Sequence, residues 1–184
     1  VRPGREVVGI TVEPESALGR SATHRIAFEA EEAAFHNTKS FTMTLAIAAA
    51  AAGGIVGRRD LAPMAWIKRL AAAMDEVLAV GDEAFDALAE RLAPARVNLL
   101  VARGHHIGVS CQAALDLQEG MCLAALAVPG GLLRHGPMEL VRLPDSAVIL
   151  MIPTDHMAAT TLQAAADLLE TGARVVALVE DGVS

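Results

Sequence analysis

Two cysteines, Cys111 and Cys122, are all that the 184 residues contain. They are too few and too badly spaced for a disulfide framework or a zinc site, so both read as packing residues of a protein kept in a reducing compartment, the cytoplasm. Basic clusters are missing as well. With 15 Lys and Arg against 22 Asp and Glu the formal net charge is −7, and neither nucleic acid nor an anionic membrane surface offers such a chain an electrostatic gain. Membrane-length apolar runs are also lacking. The run Phe41 to Val56 has 16 residues, among them two Thr, two Gly and many Ala, which is shorter and less apolar than the about 20 residues a bilayer needs. A buried core helix is expected there. No basic leader followed by an apolar stretch opens the chain, so no export signal is expected. What is present is 53% apolar residues, enough for a core and too many for a disordered chain. The expected partner is a small molecule or another subunit.

Strand and helix patterns alternate. Arg5 to Glu13 and His24 to Ala30 are strand-like, and Thr38 to Ala52 is helical. Pro63 to Val80 is an amphipathic helix with Ile67, Leu70, Met74 and Val77 on one stripe, a core or dimer face that also carries Trp66. A further helix spans Asp82 to Leu92. Then follow strand Arg96 to Ala102, helix Val109 to Met121, strand Leu123 to Val128, a helix near Met138, strand Ala147 to Ile152, helix Asp155 to Thr171 and strand Arg174 to Val179. Short all-apolar strands separated by helices predict a parallel sheet covered on both faces, a three-layer αβα architecture. Gly172 stands where a left-handed cap ends the last helix. Ala173 to Ser184 (ARVVALVEDGVS) echoes Arg5 to Ser16 (REVVGITVEPES), which predicts two α/β repeats, each incomplete in this chain.

One segment carries most of the chemistry. Arg103 to Pro137, RGHHIGVSCQAALDLQEGMCLAALAVPGGLLRHGP, starts at the carboxyl end of an apolar strand, where Gly104 permits a sharp turn. In open α/β sheets that edge is where ligands bind. Adjacent histidines usually point apart, so His105 and His106 are not expected to hold a metal. A second segment, Glu32 to Thr42 (EAAFHNTKSFT), leads into the long helix.

These two segments resemble the sugar isomerase (SIS) domain family, most closely the paired SIS domains of the glucosamine-6-phosphate synthase type and their deaminase-like relatives. The first is similar to the family segment that opens on Arg-Gly and closes on Leu-Lys-His-Gly-Pro, without a gap over its 35 positions. The second is similar to the family's Glu-x-x-x-x-Ser-Thr-Lys-x-Phe-Thr turn. The resemblance implies a flavodoxin-like fold with two SIS repeats, residues 1–60 forming the C-terminal part of the first and 61–184 the connecting helices and the second. It implies a phosphosugar isomerase or isomerising deaminase working through an enediol without a cofactor, on a sugar phosphate, in a homodimer. Glu119 falls on the catalytic glutamate, and His135 on a ring-opening histidine that in relatives reaches the neighbouring subunit. Glu32, Asn37, Thr38, Lys39, Arg103, Gly104 and Gln112 fall on substrate-binding positions. Physically the types fit, since a carboxylate can carry a proton between C1 and C2 and an imidazole can exchange the hydroxyl proton.

The departures count too. Asp116 stands where relatives have lysine, Gln112 where they have glutamate, Leu132 where they have glutamate and Asn37 where they have serine. Asp116 inverts a charge beside an anionic substrate and makes lysine-assisted ring chemistry doubtful. Plainer readings stay open: Glu119 as a solvated surface residue, His135 as a helix cap ahead of Pro137, Arg103-Gly104 as a turn only, and Lys39 as the ion-pair partner of Glu32. A silent phosphosugar-binding module and a pure scaffold are the competing functions. Glutamine-dependent amidotransfer is not expected, since no glutaminase domain precedes the SIS region in this chain.

Overall fold

The structure, a computed structural model, describes residues 4–33, 35–58 and 63–179. The chain divides into two compact units, Val1–Val80 and Gly81–Ser184.

In the first unit, β1 (Val8–Thr11) and β2 (His24–Ala27) pair in parallel, Val8 opposite His24. Both strands are shorter than the sequence pattern suggested. Past Thr11 the chain turns, because the Thr11 hydroxyl accepts the Glu13 N–H at 3.0 Å and donates to the Glu13 carbonyl. The crossover contains α1 (Ala17–Ser21), which the sequence pattern did not reveal. Ser16 caps it by accepting from Gly19 N–H at 3.2 Å. Gly19 is required there, since a Cβ would lie 2.1 Å from the Pro14 carbonyl oxygen.

Next come α2 (Lys39–Ile55) and α3 (Pro63–Leu78). The expectation of a buried core helix over 41–56 needs correction: within α2 only Ala46 and Gly53 are buried, and Ile55 is 82% exposed. A run of alanines is apolar on every side, so its pattern cannot say which side is covered. On α3 the predicted stripe is only partly covered, with Leu70 half-buried and Ile67, Met74 and Val77 exposed.

The second unit opens with α4 (Asp82–Leu92) and continues as β3 (Val97–Ala102), α5 (His106–Met121), β4 (Ala124–Pro129), α6 (Pro137–Leu140), β5 (Ser146–Ile152), α7 (Ala158–Glu170) and β6 (Arg174–Val179). The strands are parallel in the order β4-β3-β5-β6. All seven residues of β5 are buried, as its unbroken apolar run requires of a strand covered on both faces. One face packs Leu99, Val101, Val148 and Leu150 against Ala164 and Leu168 of α7. On the other, Leu100, Ala125 and Ile149 meet Ala114 and Leu117 of α5. Three layers result, as expected. Each fully buried leucine stabilises by about 1.5–3 kcal/mol relative to exposure, so Leu99, Leu150 and Leu168, all 0% exposed, anchor the α7 layer to the sheet.

Two helix ends differ in legibility. Gly172, at φ +77°, follows α7 as its composition predicted. At the end of α5, however, Cys122 takes the left-handed conformation at φ 53°, where glycine would be the usual residue. Cys122 and Cys111 are both exposed, which overturns their reading as packing residues.

The order of strand addition reverses at β3: β4 lies on one side and β5 on the other. The loops after β3 and β5 therefore flank a topological switch point at the carboxyl edge of the sheet.

Candidate functional site

At the start of α2 the structure gives Glu32 a definite task. Its carboxylate accepts the Ser40 N–H at 3.0 Å, the Ser40 hydroxyl at 3.0 Å and the Thr38 hydroxyl at 3.2 Å. A helix N-terminus carries unpaired N–H groups and positive dipole charge, and Glu32 supplies the anion from within the chain. The Ser40 backbone bond is the main cause that holds the Glu32 carboxyl below the usual carboxylate range; partial burial opposes it, and the Ser40 and Thr38 hydroxyls and the Lys39 N–H add to it. Lys39 does not pair with Glu32. Its Nζ donates instead to the Glu31 carbonyl at 3.1 Å. Lys39 and Thr38 line a cavity of about 490 Å³, together with Glu31, Thr42, Met43 and Met74. Asn37 is exposed. Ser40, which donates twice, was missed in the sequence because its partner Glu32 lies eight residues away.

A depressed carboxyl stabilises the fold above its unfolded pKa, and that contribution disappears as pH falls through the folded value. Melting temperatures of wild type and Glu32→Gln are therefore expected to differ most at neutral pH and to converge on acidification below the ordinary carboxylate range. A gap that stays constant down to acid pH would remove Glu32 from the cap.

In the second unit, Arg103 and Gly104 follow β3 directly. Gly104 turns at φ +56°, and the N–H groups of His106 and Ile107 return to the Arg103 and Gly104 carbonyls to start α5. The rings of His105 and His106 do not diverge as expected; their centroids lie 4.0 Å apart at a 38° tilt. Among the described residues no group of three His, Cys, Asp or Glu side chains is arranged to hold a metal ion.

Glu119 occupies the last turn of α5 and is exposed. Gln112 and Asp116 precede it on the same helical face at spacings that bring side chains together. Gln112 Nε2 donates to Asp116 Oδ1 at 2.9 Å, so an amide and a second carboxylate stand where a cation would serve an anionic sugar. Gln118, one residue before Glu119, donates to the Ala125 carbonyl at 2.7 Å, and Ala125 pairs with Asn98 near the start of β3. Glu119 thus lies at the amino edge of the sheet.

His135 lies at the opposite edge. Its loop leaves β4 where Gly130 N–H donates to the Ala102 carbonyl at 2.7 Å, at the end of β3. From Asn98 to Ala102 the strand advances four residues, about 13 Å, before the loop adds its own reach. His135 is exposed, and among the described residues its imidazole makes no hydrogen bond. It is not a helix cap: the cap of α6 is Gly136 at φ +118°, with Pro137 in the first turn. Arg103 and Gly104 therefore share an edge with His135, whereas Gln112, Asp116 and Glu119 run along α5 toward the other.

The parallel sheet, its covering helices and the polar groups at its carboxyl edge define a flavodoxin-like α/β domain of the kind that binds small ligands at a switch point. No protein-family model matches the chain. Glutamine–fructose-6-phosphate aminotransferase (isomerizing) from Streptococcus pyogenes is 29% identical over 183 residues, and the same enzyme from Bordetella pertussis is 32% identical over 133. These matches cover 95% and 72% of the chain but only 30% and 20% of the enzymes. The C-terminal domain of glucosamine-fructose-6-phosphate aminotransferase from Francisella tularensis superposes with a TM-score of 0.80 at 23% identity, over 96% of the chain and 51% of that structure. Glucosamine-6-phosphate deaminase from Thermotoga maritima does so at 0.68 and 23%, over 95% and 52%. These likenesses support a sugar isomerase (SIS) domain of the glucosamine-6-phosphate synthase type. The chain spans about 30% of the length of the first of these curated relatives.

Proposed function

We propose that this chain forms the proton-transfer part of a phosphosugar isomerase or isomerising deaminase acting on a hexose or amino-hexose 6-phosphate. The observation that carries the reading is the pair of exposed groups, Glu119 on α5 and His135 on its turn, both free of ion pairs among the described residues. Relatives whose names describe isomerising chemistry on fructose 6-phosphate support it. Glu119 takes the proton from C2 or C1 of the open-chain sugar and returns it to the neighbouring carbon. The electron pair passes through an enediol, so aldose and ketose interconvert with no net oxidation. His135 exchanges the ring-oxygen proton that opens the cyclic sugar. No cofactor is needed. Residues 1–60 belong, in this reading, to a first SIS repeat and 61–184 to connecting helices and a second. Thr38 and Lys39 face the sugar, and the protein works in the cytoplasm.

Glu119 and His135 sit at opposite edges of one sheet, so a single second unit does not bring both to one sugar. A homodimer resolves this, His135 of one copy serving Glu119 of the other. Asp116, held by Gln112, supplies no lysine for an imine, so the route is acid–base.

The test is proton NMR of fructose 6-phosphate, glucose 6-phosphate and glucosamine 6-phosphate with the protein in deuterium oxide. Protein-dependent loss of a C1 or C2 proton signal is expected for one of the three. Line broadening without exchange would instead make the chain a phosphosugar-binding module, and neither effect would leave a scaffold. Among the described residues no helix is long and apolar enough to cross a membrane.

A further inference from the structure

Arg103 stands where a ligand-binding arginine would be expected, yet its guanidinium is engaged within the fold. Its Nη2 donates to the Gly130 carbonyl at 2.8 Å, 27 residues away across β3 and β4. The side chain lies flat on Gly130: a Cβ there would stand 2.8 Å from Arg103 Cγ and Nε and 3.1 Å from Cζ. Gly130 is itself buried and tied by its N–H to Ala102. Gly130, the first residue after β4, is therefore held at both of its backbone groups, its N–H donating to the Ala102 carbonyl and its carbonyl accepting from Arg103.

The loop beyond is built on that point. Leu132 N–H closes onto the Pro129 carbonyl at 2.7 Å and His135 N–H onto that of Leu132 at 2.9 Å, while Leu133, 1% exposed, anchors the turn in the core. On the far side Arg134 pairs with Asp167 of α7, which Gln163 also holds at 2.9 Å. His135 has no side-chain partner of its own among the described residues, so its direction follows from the backbone these contacts fix. We propose that Arg103 is a positioning residue that clamps the Gly130 to Gly136 loop and so aims His135, rather than a contact to the sugar phosphate. This rests on the reading of His135 as the ring-opening group. A charge-assisted bond from a planar fork suits the task, being stronger and more directional than a neutral one.

Two substitutions separate the parts of this contact. Arg103→Met keeps the apolar stem over Gly130 and removes the donor, and Arg103→Lys keeps a charge without the fork. Hydrogen–deuterium exchange on the ligand-free full chain reads the loop directly. Exchange at Gly130, Leu132 and His135 is expected to rise by about tenfold or more in Arg103→Met, the factor that losing one charge-assisted bond implies. The amides of β5 stay protected, which shows that the variant is folded. With a cyclic hexose 6-phosphate kcat falls while KM holds, and an open-chain analogue is turned over at the wild-type rate. Unchanged loop exchange in both variants overturns the clamp, and a raised KM with unchanged exchange makes Arg103 a ligand contact. If the wild-type chain isomerises nothing, only the proposed activity is lost, and exchange at the loop still decides the clamp.

Discussion

Glu119→Gln is expected to abolish deuterium exchange at C1 and C2 while leaving sugar-phosphate binding nearly intact. The substitution keeps the shape of the side chain and one hydrogen-bonding oxygen but removes basicity, and a general base accounts for roughly 10²–10⁴-fold in rate. Because Glu119 is exposed at the end of α5 and ion-paired to nothing among the described residues, the variant costs little stability. The loss therefore appears in kcat rather than in folded protein. Titration of the sugar phosphate against the variant, followed by ligand NMR, gives its affinity, and turnover gives its chemistry. Turnover at the wild-type rate would reduce Glu119 to a solvated surface residue.

The outcome also weighs Asp116. In this helix Asp116 and Glu119 share a face, with Gln112 fixing one carboxylate oxygen of Asp116. A phosphorylated sugar approaching that face meets two negative side chains and no lysine. A base can still work there. What the face lacks is a cation to hold the substrate, so ligand affinity has to come from groups other than Gln112 and Asp116.

Sequence and structure agree where the pattern itself is unambiguous. β3 and β5 were legible because a short, almost wholly apolar run between helices fits a strand covered on both faces. Gly172 was legible because only glycine is comfortable at its φ. The first unit was harder to read. Five residues around Gly19 form a helix whose signal is a contact with Pro14, invisible to periodicity. The alanines of α2 are apolar on all sides and name no buried face. Cys122 ends α5 in a conformation that nothing in its residue type announces. At the site, the turn at Arg103-Gly104 was local and therefore readable. The Arg103 to Gly130 bond depends on the register of two strands 27 residues apart, and the Glu32 to Ser40 bond on the chain folding back over eight. Such pairings exist only once the sheet and the helix are in place.

Mixing two dead variants is expected to restore activity. In the proposed dimer, Glu119→Gln and His135→Ala are each inactive on a cyclic sugar, the first for want of a base and the second for want of a ring opener. In a heterodimer of the two, one site loses both groups and the other keeps both, because Glu119 comes from one copy and His135 from its neighbour. Random pairing of equal amounts makes half the dimers mixed, each with one working site of two, so about a quarter of wild-type turnover should return. The separation of Glu119 and His135 across the sheet, about 13 Å of strand plus the loop, is what makes a shared site necessary. If both groups served one sugar from the same chain, every heterodimer site would lack one of them and no activity would return. His135→Ala alone adds a second criterion: on an open-chain substrate it should retain most of its turnover, because no ring remains to be opened, whereas equal losses on cyclic and open-chain sugars would make His135 structural.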